Sequence, residues 1–244
     1  MRKHILALLL LLLATPAFGL LGIVTGGVEI DSNSKHVYRG VELEDKFVIQ
    51  PKAYVAFMGL KAKMFNNYTL DPDGDREKLN RTDLMFSYSI IDTVGLDIAS
   101  GVKYYHFYDE GAKDTTELFL NIDYSVMGLV GVYSHHYIDV QEDVGKYYGN
   151  VGAKFMIDFI PVIGAEGYMD LNWQKPYYGD NVDFVFPYSL NISAAVKFKP
   201  IPLFYIKAHV DMTILLDGDT KDMNDNLDKD NNIMYFGLAT GLSF

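Results

Sequence analysis

Residues 234–244 read Met-Tyr-Phe-Gly-Leu-Ala-Thr-Gly-Leu-Ser-Phe, and they alternate between two kinds of side chain. The even-numbered positions carry Met, Phe, Leu, Thr, Leu and Phe, whereas the odd-numbered positions carry Tyr, Gly, Ala, Gly and Ser. Successive side chains of a β-strand point to opposite faces of the sheet. This stretch is therefore predicted to be a strand with one apolar face and one small or polar face.

The same alternation recurs along the chain before this strand. It predicts about twelve strands, with ten or fourteen as alternatives. The predicted ranges are 22–32, 47–57, 60–68, 82–91, 95–107, 115–126, 129–138, 147–158, 163–173, 183–198, 203–216 and 233–244.

The segments between these strands alternate in length. Short turns fall at 57–59, 92–94, 127–128, 160–162 and 199–202, and longer polar segments fall at 33–46, 69–81, 108–114, 139–146, 174–182 and 217–232. Bacterial transmembrane barrels have an even number of antiparallel strands, short periplasmic turns and longer outer loops. We therefore predict an all-β fold, a closed antiparallel transmembrane β-barrel, located in the bacterial outer membrane.

The beginning of the chain predicts export. A basic start precedes an apolar run at 5–14, which is too short to span a membrane. Ala17 and Gly19 then occupy the −3 and −1 positions of a signal-peptidase site. The predicted domains are a signal peptide over residues 1–19 and a single outer-membrane barrel over residues 20–244.

The composition excludes several classes of protein. The chain has 21 Lys and Arg residues against 32 Asp and Glu residues, which gives a net charge of −11. An acidic chain is unsuited to nucleic acid, since binding to phosphates requires basic surface. It has no cysteine, so neither disulfides nor thiolate metal sites stabilise it.

In most of the predicted strands the apolar side chains share one parity of residue number and the polar side chains share the other, and the polar parity predicts the lining of the barrel. In a membrane barrel the apolar parity faces lipid and the polar parity faces the lumen. We predict that eight charged residues line the lumen and bind a solute there: Lys52, Lys103, Lys154, Glu166, Asp170, Lys197, Lys207 and Asp211.

The predicted function is a passive, porin-like channel or solute-binding barrel for small polar solutes. The alternative is a structural or scaffolding barrel with a plugged lumen. An open pore should separate its charges by sign into strips, whereas a plug should interleave and pair them.

The residue patterns that could indicate a catalytic or metal-binding site in this sequence are short and incomplete. Ser134 with His136 has the chemistry and parity of a lipid-facing hydrolase pair, and His209 with Asp211 has that of a protease pair. Each is a two-residue pattern without a third group, so a membrane-embedded hydrolase ranks third and we predict no enzyme. The aspartates of segment 71–75 lack a complete calcium loop, so we predict no metal and no cofactor.

A family resemblance is carried by residues 35–45, Lys-His-Val-Tyr-Arg-Gly-Val-Glu-Leu-Glu-Asp. Tyr38, Arg39 and Gly40 resemble the Tyr-Arg-Gly segment found after the first strand in a family of small, uncharacterised Gram-negative outer-membrane β-barrel proteins. The resemblance implies a barrel and export, and it implies no activity, substrate or catalytic residue.

The last strand carries a second resemblance. A closing strand that ends in an aromatic residue, here Phe244, is similar to the assembly signal of Gram-negative outer-membrane proteins. The expected partners are therefore outer-membrane lipid, the barrel-assembly machinery through Phe244, and a small polar solute, with no nucleic acid.

Overall fold

The computed structural model describes residues 24–70, 78–108, 112–174, 185–218, 221 and 231–244. Within these residues, twelve strands form one closed antiparallel barrel, which confirms the predicted fold. They are β1 (Val24–Asn33), β4 (Val48–Phe57), β5 (Leu60–Thr69), β6 (Lys78–Thr93), β7 (Leu96–Phe107), β8 (Thr115–Val126), β9 (Val130–Asp139), β10 (Tyr147–Ile160), β11 (Ile163–Gln174), β12 (Val185–Ile201), β13 (Phe204–Leu215) and β14 (Asn232–Ser243). Two short strands, β2 (His36–Tyr38) and β3 (Val41–Glu44), form a separate hairpin. The predicted signal peptide lies outside the described residues.

The barrel has two distinct ends. At the turn end, tight connections such as Met58–Gly59 and Met127–Gly128 join neighbouring strands. At the other end, the loop end, the strands lead into the longer predicted connections, parts of which lie outside the described residues. Two predicted boundaries need correction: β6 is longer than 82–91, and β12 continues through most of the predicted turn at 199–202.

The outer face of the barrel is apolar. On β14, the side chains of Met234 and Phe236 are 64% and 67% exposed, whereas the inward-facing Ile233 is 1% exposed. Large apolar side chains are exposed on other strands in the same way, including Phe86, Leu118, Val132, Met169, Val196 and Val210. Soluble monomers do not expose apolar surface on this scale, so the exterior fits a lipid environment. In the part of the chain that the structure describes, no helix has the length and apolar character to cross a membrane.

The first and last barrel strands close the sheet. Gly26 and Phe244 exchange two backbone hydrogen bonds, each 3.0 Å long. Glu29 on β1 faces inward, so Gly26, three residues before it, faces outward. A Cβ added to Gly26 would lie 2.5 Å from the Phe244 ring. The Phe244 ring therefore packs over Gly26 on the outer face, as the parity of the strand predicted.

Candidate functional site in the barrel lumen

The connection between β1 and β4 folds into the barrel instead of extending from it. Arg39 and Gly40 form the turn between β2 and β3, with φ angles of 52° and 81°. Tight hairpin turns need positive φ, which glycine adopts freely and arginine rarely does. A Cβ added at Gly40 would lie 2.9 Å from Oγ of Ser189 on β12. The prediction of an outer loop at 33–46 was therefore wrong for its central part, because the barrel wall supplies partners for the hairpin.

The most important of these partners is Glu117 on β8. Nη1 and Nη2 of Arg39 each donate to one carboxylate oxygen of Glu117 at 2.6 Å. The two side chains are 8% and 2% exposed. The rings of Tyr148 and Tyr137 lie 4.3 and 5.2 Å from the guanidinium carbon, and the hydroxyl of Tyr105 donates to Glu117. A bidentate, buried pair inside an aromatic cage fixes the hairpin tip against β7 to β10.

A second cluster supports the hairpin from β6 and β7. The guanidinium carbon of Arg81 lies 4.1 Å from the ring centre of Tyr38, and Arg81 pairs with Asp83 at 2.8 Å. Lys103 also pairs with Asp83, at 3.1 Å, and its ammonium lies 4.4 Å from the ring centre of Tyr105. The predicted solute-binding residue Lys103 faces the lumen as expected, but it belongs to the support of the hairpin.

The base of the hairpin is held by a row of buried side-chain amides. Asn33 donates to Gln50 at 3.2 Å, Gln50 donates to Asn67 at 2.8 Å, and Asn67 donates to Asn80 at 2.6 Å. Asn80 then donates to Glu44 of β3 at 3.0 Å. This row links β1, β4, β5 and β6 to the hairpin, which is consequently tied to the wall at its base and at its tip.

A cavity of about 820 Å³ extends from the hairpin to the turn end. Lys35 and Val37 line it on the hairpin side, and Gly128 and Leu129 line it at the turn end. Six of the eight predicted residues line this cavity: Lys52, Lys154, Glu166, Asp170, Lys207 and Asp211. Lys197 lies beside them, with its ammonium 4.0 Å from Glu166. These residues therefore lie in or beside the cavity, and their role in binding a solute stays a prediction.

Just below the hairpin, the charges of the cavity are paired. His209 lies between Asp31, at 3.0 Å, and Asp211, at 2.5 Å. Lys52 donates to Asp31 at 2.9 Å, and Asp170 accepts from Tyr133 at 2.7 Å. At this height the lumen has the interleaved pattern expected of a plug.

Toward the turn end, the inward-facing charges are instead separated by sign around the barrel. One side, which we call the basic arc, comprises β5, β4, β1, β14, β13 and β12, and its lysines are Lys52, Lys61, Lys63, Lys197, Lys199 and Lys207. Among the described residues, Glu29 is its one inward carboxylate within six residues of the turn end. The other side, the acidic arc, runs from β6 to β11 and carries Asp92, Asp97, Asp123, Asp158 and Glu166, together with Lys154 on β10, an inward lysine that pairs with Asp123. Most charges of one sign thus lie on one side, as expected of an open pore, but ion pairs also join the two arcs: Lys199 lies 3.8 Å from Asp158, and Lys197 and Lys207 lie 4.0 and 3.5 Å from Glu166.

The hydrolase pattern lies on the outer face. Oγ of Ser134 lies 3.0 Å from Nε2 of His136, and Nδ1 of His136 contacts the hydroxyl of Tyr147. Oγ of Ser134 also lies 3.2 Å from the backbone oxygen of Asn150. The third group is a phenol, which does not stabilise an imidazolium as a carboxylate does, so the structure adds no catalytic assignment.

No metal site emerges from the part of the chain that the structure describes. No group of three or more His, Asp or Glu side chains there could hold a metal ion. The acidic segments 71–77 and 222–230 lie outside the described residues.

Comparison with known proteins places this geometry in a fold class. No family model and no curated protein matches the sequence. The chain is similar to a solved structure described as KdgM porin, with a TM-score of 0.57 and 8% identity, over 90% of this chain and 99% of that chain. It is similar to the NanC porin with a TM-score of 0.54 and 9% identity, over 89% and 98% of the two chains. It is also similar to the translocator domain of the autotransporter NalP from Neisseria meningitidis, with a TM-score of 0.51 and 9% identity, over 91% and 87%. At these identities the likeness shows a shared barrel fold alone.

Proposed function

We propose that the protein is a passive outer-membrane channel for small polar solutes, narrowed by the β2–β3 hairpin. The observation that carries the proposal is the cavity of about 820 Å³, which runs inside an apolar exterior and is lined by polar and charged side chains. Lys61 and Lys63 also favour a pore, because no ion pair links them to an acid among the described residues, whereas a filled interior would pair them. The protein performs no chemistry of its own in this proposal.

The membrane placement belongs to the same proposal. The exposed apolar side chains contact the lipid of the bacterial outer membrane, the turn end faces the periplasm, and the long loops face outward. Phe244, on the outer face of the last strand, is the residue that the barrel-assembly machinery recognises.

A structural barrel with a plugged lumen is the second candidate. The buried pair of Arg39 and Glu117 and the amide row at the hairpin base favour it, because both immobilise the hairpin within the lumen. The two candidates differ in what happens when the hairpin is removed.

Conductance in a planar bilayer separates these candidates. Asn33 and Val48 are cross-strand partners, so a two-residue Asn-Gly turn can replace residues 34–47 without disturbing β1 and β4. A matched control shortens the connection at 140–146, because Ile138 and Tyr147 are also partners. We expect small conductance steps for the native protein and the control, and larger steps for the variant without the hairpin. If all three insert but none conducts, the channel is excluded and the structural barrel remains.

A further inference from the structure

We propose that the lumen selects zwitterionic solutes, such as amino acids and short peptides, and this inference rests on the proposed channel function. The basic arc and the acidic arc face each other across the barrel: β8 and β9 lie half a turn of the twelve-strand ring from β14 and β1. Lys52 and Lys207 of one arc and Asp123 and Glu166 of the other line the same cavity. The lumen toward the turn end therefore has an electric field directed from one wall to the other.

The arrangement is costly, which indicates that it serves a purpose other than stability. Asp92 pairs with Asp97 and Asp97 with Asp123 across β6, β7 and β8, so three carboxylates stand side by side; of the three, Asp123 alone has a lysine partner among the described residues, Lys154. On the opposite side, Lys197 and Lys207 are direct partners across β12 and β13. Like charges directly opposite each other destabilise a sheet. A wall built only for stability would alternate the signs.

The charges differ in how far they are neutralised. Lys197 and Lys207 share Glu166 at 4.0 and 3.5 Å, at the border between the two arcs. Lys61 and Lys63 lie on β5, the strand of the basic arc that borders β6 and stands opposite β11. Both are exposed to the lumen, and no ion pair links them to an acid among the described residues. These two lysines are the cations of the basic arc that remain available to a solute carboxylate.

The balance of charge determines the class of solute. With Lys154 counted, seven lysines face six acids toward the turn end, and most of them are joined in ion pairs. The charges of this set without an ion-pair partner among the described residues are Lys61, Lys63, Asp92 and Asp97, two of each sign. An ion of one sign is attracted by one wall and repelled by the other, and an uncharged solute gains little from either. A zwitterion satisfies both walls at once, with its carboxylate toward Lys61 and Lys63 and its ammonium toward the acidic arc. Low-dielectric walls strengthen this orientation.

Liposome swelling with size-matched solutes tests the inference. Alanine is a zwitterion, and lactamide is an uncharged molecule of the same mass. Vesicles containing the native protein should swell faster in alanine than in lactamide, by about threefold to tenfold, because each wall contributes a modest, solvent-screened attraction. Lys61→Gln with Lys63→Gln should lower this ratio toward one.

Lys113→Gln with Lys146→Gln is the matched control, since both lysines lie in loop-end connections and the change removes the same charge. The control should keep the native ratio. Folding of each variant is checked by the heat-dependent shift of its band on a gel. Equal swelling in both solutes, or a native ratio in the Lys61 and Lys63 variant, would overturn the inference and leave the channel intact. No swelling in either solute by inserted protein would overturn the channel itself, and the inference with it.

Discussion

The pair between Arg39 and Glu117 provides the most informative perturbation of this barrel. Glu117→Gln keeps the shape of the side chain but removes the charge that two guanidinium nitrogens contact at 2.6 Å. Arg39 would then remain charged in a site where its side chain is 8% exposed. Breaking one partner of a buried ion pair costs about 3–5 kcal/mol. We expect the hairpin to undock in the variant while the barrel strands stay paired.

The magnitude can be stated as an equilibrium. Each 1.4 kcal/mol changes an equilibrium constant about tenfold, so docking should weaken by a factor of about 10² to about 4 × 10³. Glutamine can still accept one hydrogen bond, and the aromatic cage remains, which favours the lower end of this range. Hairpin states that are rare in the native protein should therefore become populated in Glu117→Gln.

Electron paramagnetic resonance and conductance measure this change. The chain has no cysteine, so Leu43→Cys on β3 provides a single attachment site for a nitroxide. The label should be immobile in otherwise native protein and mobile when Glu117→Gln is added, with larger conductance steps. Gln141→Glu, at the loop end outside the cage, serves as a control that alters charge without touching Arg39. An immobile label and unchanged steps in correctly inserted Glu117→Gln protein would refute the role assigned to this pair.

Three further predictions address pH, barrel closure and the lumen charges. Burial, together with the positive charge of Arg81, lowers the pKa of His36 in the docked hairpin to about 3 from an ordinary value of 6.5. Since the undocked hairpin binds this proton more readily, docking is at full strength above pH 6.5 and weakens by up to about 5 kcal/mol as the pH falls toward 3. Conductance should rise in this window, and His36→Gln should reduce the rise, the remainder coming from carboxylates such as Glu117 that take up protons at its acidic end. Gly26→Val should displace the Phe244 ring and destabilise the barrel by about 1–3 kcal/mol, measured as a lower unfolding temperature, and an unchanged temperature would contradict the described packing. Lys197→Glu with Lys207→Glu places new carboxylates beside Glu166, so the reversal potential should shift toward cation selectivity and the barrel should unfold at a lower temperature. A conducting barrel with native selectivity would contradict the inward placement of both residues.

The strands could be predicted from the sequence because each barrel strand contacts lipid on one face and the polar lumen on the other. An apolar parity for lipid and a polar parity for the lumen leave a period of two along ten or more residues, as in β13 and β14. On β9, Tyr133 and His135 face inward, where Tyr133 donates to Asp170 and His135 contacts Asp123. Both faces of this strand mix apolar and polar side chains, so alternation alone does not decide which face is inward.

The hairpin was missed for a physical reason. Strands β2 and β3 have three and four residues, too few to show a period, and their surroundings read as a polar loop. The decisive contact joins Arg39 to Glu117, which are 78 positions apart, and only the closed barrel brings them together. A useful local signal was an arginine followed by glycine between short alternating stretches, which indicates a tight turn with a charge at its tip.

The union of β1 with β14 has a consequence for the order in which the barrel is made. Gly27 pairs with Ser243, so the contacts that close the ring join residues from the two ends of the described chain. Every other neighbouring pair of barrel strands can form as a local meander, but this pair has to wait until all of them are synthesised. Until then both strands are open edges, whose unpaired amides and carbonyls are templates for aggregation. The last contact formed is thus the one that removes both exposed edges, so the time before β1 pairs with β14 sets how long these edges can template aggregation.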